Sequence, residues 1–165
     1  MEERIQVGVV VERRRAASAW IDHVWRPVAV LPGVPDAVPW TSLGGADGIE
    51  HFFAGAATVV LHRTETGNYR DNLASGRPAL WVALRATGAD PPYDILAVTA
   101  DPAEGEAMTE AGSDLVEAVP MPDDLRAGIA AYVAAHHVEQ PFFKRKRDRA
   151  NPEALGRRSR VEEDE

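Results

Sequence analysis

The sequence contains no cysteine, which excludes disulfides, thiolate metal sites and cysteine nucleophiles. No apolar run approaches the roughly 18 residues of a membrane-spanning helix. The start, Met1-Glu2-Glu3-Arg4-Ile5, is acidic and has no apolar stretch, so no signal peptide is expected and the chain is placed in the cytoplasm. The phosphate-cradling pattern G-x-x-x-x-G-K-[ST] and the dinucleotide pattern G-x-G-x-x-G are both missing. So is the G-x-S-x-G elbow, which leaves Asp22-His23 with Ser18 or Ser42 as a hydrolase triad on spacing alone. His23, His51 and His62 show no metal-ligand spacing. The neighbours His136 and His137 would point about 100° apart on a helix, too far for one metal. No metal, cofactor or catalytic residue is therefore expected.

Charge is unevenly distributed. The first 143 residues hold ten arginines against twenty Asp and Glu, whereas residues 144–160 hold eight Lys and Arg against two acids. The last five residues add four acids, and the net charge is -8. An acidic body argues against nucleic-acid binding, while the basic segment is a candidate electrostatic arm. A single domain over 1–143 is expected, followed by a basic then acidic tail over 144–165 whose polar composition predicts disorder.

Apolar periodicity supplies the elements. Arg4 to Val11 predicts a strand that ends at Glu12-Arg13-Arg14-Arg15. Val24 to Gly33, closed by Pro32-Gly33, predicts a buried strand covered on both faces and central to the fold, since Val24, Val28 and Val30 share a parity. A short strand follows over Trp40–Leu43. Gly48 to Phe53 and Ala56 to Arg63 suggest a hairpin turning at Ala54-Gly55. Thr66 to Ala74 suits a short helix, and Ala79 to Arg85 and Tyr93 to Thr99 suit antiparallel strands. Asp101-Pro102 opens a helix that Gly112 ends, with Glu104 three residues after the cap. After a strand over Asp114–Val119, Pro122-Asp123-Asp124 starts the longest helix, with Leu125, Ile129, Tyr132, Val133 and His136 on one stripe. The order points to an α+β fold: a curved, mostly antiparallel β-sheet or partial barrel with two or three helices.

Two sets of residues could bind something. Trp25, Trp40 and Tyr69 with Arg26 could line a surface for a flat anionic ligand such as a pterin or nucleotide, with Arg13-Arg14-Arg15 adding charge. The run Phe142, Phe143, Lys144, Arg145, Lys146, Arg147 and, beyond Asp148, Arg149 sets aromatics beside cations, a composition suited to docking an acidic partner.

Several stretches resemble the DUF3305 family, found mainly in alphaproteobacteria. They are Val7 to Arg14, Trp25 to Gly33, Tyr69 to Leu73, Val119-Pro120-Met121-Pro122, and Ala134 to Arg147. The family's genes tend to lie beside those of molybdenum-dependent formate dehydrogenase and its cofactor assembly. The resemblance implies an accessory or assembly protein that binds a formate dehydrogenase subunit or its maturation factors. It implies no catalytic residue.

Overall fold

The structure, a computed structural model, describes residues 2–138. Four strands make the first sheet, A: β1 (Glu3–Arg15), β2 (His23–Leu31), β3 (Thr41–Ala46) and β4 (Ile49–Leu61), in the order β2-β1-β4-β3 and antiparallel throughout. The second sheet, B, has β5 (Ala79–Ala86), β6 (Tyr93–Thr99) and β7 (Leu115–Pro120) in the order β6-β5-β7, also antiparallel. Three helices accompany it: α1 (Thr66–Ala74), α2 (Pro102–Ala111) and α3 (Asp123–His136), the last being the longest. Sheet A is thus built entirely from residues up to Leu61, and sheet B with all three helices from the residues after it. The fold is α+β, with two antiparallel sheets that are not closed into one barrel. Among the described residues no helix is long and apolar enough to cross a membrane. The tail over 144–165 lies outside the described residues.

The core forms between the sheets. Val7, Val9 and Val11 of β1 meet Val59 and Leu61 of β4, Leu80, Val82 and Leu84 of β5, and the apolar stripe of α3, Leu125, Ile129, Tyr132 and Val133. Burying each such side chain contributes about 1.5–3 kcal/mol, which is why these alternating runs fold as they do. β1 is buried continuously from Val7 to Glu12, so its outer face is covered as well. There the loop after β2 crosses it, with Gly33 O and Pro35 against Gly8.

The central strand is β1, not β2 as the Val24–Gly33 pattern suggests. β2 lies at the outer end of sheet A, and Val24 is 52% exposed. Pro27 has no N–H to offer a second neighbour, which suits an edge. The register explains the misleading parity: Val10 faces Ala29 and Val11 faces Pro27, so Val28 is an extra residue. That bulge sends Val24 and Val30 to opposite faces of the sheet.

The hairpin expected at Ala54-Gly55 is likewise absent. β4 runs through it as one thirteen-residue strand, because both halves pair with the equally long β1 instead of with each other. Val9 faces Gly55 and Val10 faces Phe53, leaving Ala54 as a bulge, and Gly55 takes the positive φ of 139° that the kink needs. The half of β4 before the bulge pairs outward with β3, and β4 also packs against β6 of the other sheet.

The α2 cap forms as its sequence signature implies. Asp101 Oδ1 accepts the Ala103 N–H at 2.9 Å, and Gly112 closes the helix at φ 71°. Asp101 also accepts Asn68 Nδ2 at 3.0 Å, joining α1 to α2. Asn72 ties α1 to sheet B: its Nδ2 donates to Ala79 O and Ala100 O, and its Oδ1 accepts the Ala79 N–H.

Candidate functional site

Register assembles the first cluster. Arg13 stands opposite Trp25 on one side and Glu50 on the other, one row from Val11 and Phe52. Its guanidinium lies 5.7 Å from the centre of the Trp25 ring and 5.1 Å from that of Phe52. Its Nη2 donates to Glu50 Oε1 at 2.7 Å, and Glu50 Oε2 accepts the Ser42 hydroxyl at 2.7 Å. Trp40, held at a left-handed φ of 70°, sets its ring 6.0 Å from Trp25 and 6.2 Å from Phe52. Tyr93 of β6 reaches Trp25 at 6.4 Å. Cation–π contacts of this kind contribute about 0.5–2 kcal/mol each. The cluster closes one end of the inter-sheet core. Beside it a cleft of about 330 Å³ is bordered by Arg13, Arg15, His23, Glu50 and the glycine-rich β3–β4 turn.

The other face of the same strands carries a different group. Glu12 stands opposite Arg26. Its carboxylate accepts Arg26 Nε at 2.8 Å and Arg14 Nη2 at 3.0 Å, and only 5% of the side chain is exposed. The Arg26 and Arg14 guanidinium groups hold the Glu12 carboxyl below its usual range and outweigh the burial that opposes them. The shielding comes from those two arginine side chains, not from depth in the core. Val24, which lies beside the pair, is open to solvent, and the β1–β2 connection carries Trp20, 94% exposed, and the exposed Ile21.

Among the four residues expected to share a surface, Trp25 and Trp40 meet. Arg26 lies on the opposite face of β2 from Trp25, as strand alternation requires. Tyr69 is in the core, where its hydroxyl accepts the His62 N–H at 2.9 Å and its ring meets that of Tyr132. Burial pushes the Tyr69 hydroxyl's pKa up. Arg13 stands where Arg26 was expected, and Phe52, Tyr93 and Glu50 complete the cluster. Ser42 bonds to Glu50 rather than to a histidine. Phe142 through Arg149 lie outside the described residues.

At the helical end, the His136 ring packs at a tilt against Tyr132 with ring centres 4.5 Å apart, while His137 turns away to Thr66 and Arg70. The two rings diverge, and among the described residues no group of three or more His, Cys, Asp or Glu could hold a metal. An apolar groove of about 960 Å³ runs past Pro78, Trp81, Pro102 and Met121. No curated protein and no solved structure matches the chain. A family model described as a protein of unknown function does match, over residues 6–147, and the chain belongs to that family, DUF3305.

Proposed function

We propose that the protein is a non-enzymatic accessory or assembly factor for a molybdenum-containing formate dehydrogenase, acting in the cytoplasm by binding one of its subunits or maturation factors. The gene neighbourhood of the family motivates the partner. The observation that carries the binding role is the tip of the β1–β2 hairpin, where Trp20 is nearly fully exposed with Ile21, while on the adjoining strands the exposed Val24 lies beside Arg14 and Arg26. Tryptophan and arginine dominate the energetics of protein interfaces, and an apolar cluster rimmed by charge is what a docking surface presents. The Phe142–Arg149 run would add a second, electrostatic contact.

Affinity purification from cells making that enzyme tests the reading, using the full chain, a chain lacking 142–160, and Trp20→Ser. Recovery of an oxidoreductase subunit with the full chain, reduced by either change, is expected. Failure to recover such a subunit with any of the three would overturn it.

A second reading keeps the small-molecule role but relocates it. Arg13, whose guanidinium lies against the Trp25 ring, borders the 330 Å³ cleft, large enough for one flat ring system such as a pterin or nucleotide base. Only this reading has free ligand quenching the fluorescence of Trp25 and Trp40. Titration with a pterin and a nucleotide that leaves the emission unchanged would remove it.

A further inference from the structure

Neither reading uses the cleft between the residues following β4 and the end of α3. It encloses about 780 Å³, within the range of roughly 300–1,000 Å³ typical of small-molecule sites. Its walls carry His62, Arg63, Thr64, His136 and His137, with Glu2 as their carboxylate.

One wall is fixed by a chain of hydrogen bonds. Arg70 Nη1 lies 3.1 Å from His137 Nε2, and a guanidinium can only donate, so Nε2 accepts. The ring proton therefore sits on Nδ1 and is donated to Thr66 Oγ1 at 3.0 Å. Thr66 passes its own hydroxyl hydrogen to the Arg63 carbonyl at 3.2 Å. The end of α3 thus steadies the backbone of the arginine that lines the cleft.

The other wall holds a second clue. Glu2 Oε1 lies 3.5 Å from His62 Nδ1, and Glu2 Oε2 lies 3.6 Å from Arg4, with the Glu2 side chain 51% exposed. At these lengths and that exposure the carboxylate is weakly held and can be replaced by a stronger oxyanion. Arg63 itself makes no ion pair among the described residues. The Thr64 hydroxyl is turned to Glu65 Oε1 at 3.4 Å, but the Arg63 guanidinium and the His62 ring that line the cleft offer more N–H donors than two carboxylate oxygens can serve. The terminal oxygens of a phosphoryl group can serve them.

We propose that this cleft binds a phosphoryl-bearing small molecule, with Arg63 and His62 gripping the phosphoryl oxygens and Glu2 displaced from His62 as it enters. The full chain is titrated separately with inorganic phosphate, pyrophosphate and acetate at constant ionic strength, followed by the histidine ring resonances and by calorimetry. Saturable shifts of the His62 and His136 rings are expected with the phosphates and not with acetate. Arg63→Ala should weaken binding about tenfold, the fold-change given by losing one hydrogen bond to a charged group. Glu2→Gln should tighten it, because the competing carboxylate is gone. Both residues are at the surface, so circular dichroism should show the fold unchanged. Arg77→Ala, away from the cleft, should leave binding as it was. No saturable shift, an equal response to acetate, or equal weakening by Arg63→Ala and Arg77→Ala would overturn the proposal.

Discussion

Glu12 lies where the electrostatics of the outer face of sheet A can be tested directly. Glu12→Gln keeps the shape and removes the charge to which both Arg14 and Arg26 are bonded. Shielded hydrogen bonds to a charged group contribute about 1.5–3 kcal/mol each. Here the arginine side chains are 54% and 53% exposed, which lowers each contact toward the range of about 0–1 kcal/mol found for surface pairs. The expected loss at neutral pH is therefore about 1–2 kcal/mol. Its pH dependence has a definite sign. The arginines depress the folded-state pKa below the usual 4.5, so the contribution is present above that value. It is lost as pH falls through the lowered one. Urea unfolding of the two proteins, compared at neutral pH and again well below 4.5, should show a gap in midpoint that narrows in acid at constant slope. If the gap stays the same at both, the two arginines do not hold the carboxylate as described.

Other substitutions test the packing. Asn72→Asp sets an oxygen against the carbonyls of Ala79 and Ala100 and should cost about 2–4 kcal/mol in thermal unfolding; an unchanged midpoint would remove Asn72 as the link from α1 to sheet B. A Cβ at Gly105 would overlap the Trp81 indole. Gly105→Ala should therefore destabilise by about 1–3 kcal/mol from overpacking, despite the ~1 kcal/mol alanine gains over glycine in a helix. A stabilised variant would mean that α2 does not rest on that ring. Tyr69→Phe leaves the His62 N–H without its acceptor, and hydrogen exchange at that amide should accelerate while its neighbours in β4 keep their protection.

Local chemistry was legible in the sequence wherever a few adjacent residues decide the outcome. The Asp101-Pro102 start and Gly112 stop of α2 are such a case, as is the Leu125–Val133 stripe of α3. Misreadings arose where a distant strand decides. Ala54-Gly55 has the composition of a tight turn and equally of a bulge, and only the length of β1 selects the bulge. An apolar valine run looks alike in a central and an edge strand, so the β2 sequence does not reveal its place at the edge of the sheet. The aromatic cluster follows the same rule. Arg13 rather than Arg26 meets Trp25 because the two are directly opposite across strands, a fact of register that periodicity within one strand does not contain. The placement of Tyr69 in the core rather than on a surface depends on α3 covering it.

The division of the chain at Leu61 has a consequence for biosynthesis. Every strand of sheet A leaves the ribosome before any strand of sheet B has been made. A nascent polypeptide of that length would display Val7, Val9, Val11, Val59 and Leu61 with nothing yet to cover them. Sheet A thus waits for its own second half, and a break in the connection at His62 would yield two fragments, each carrying the apolar face that the other requires.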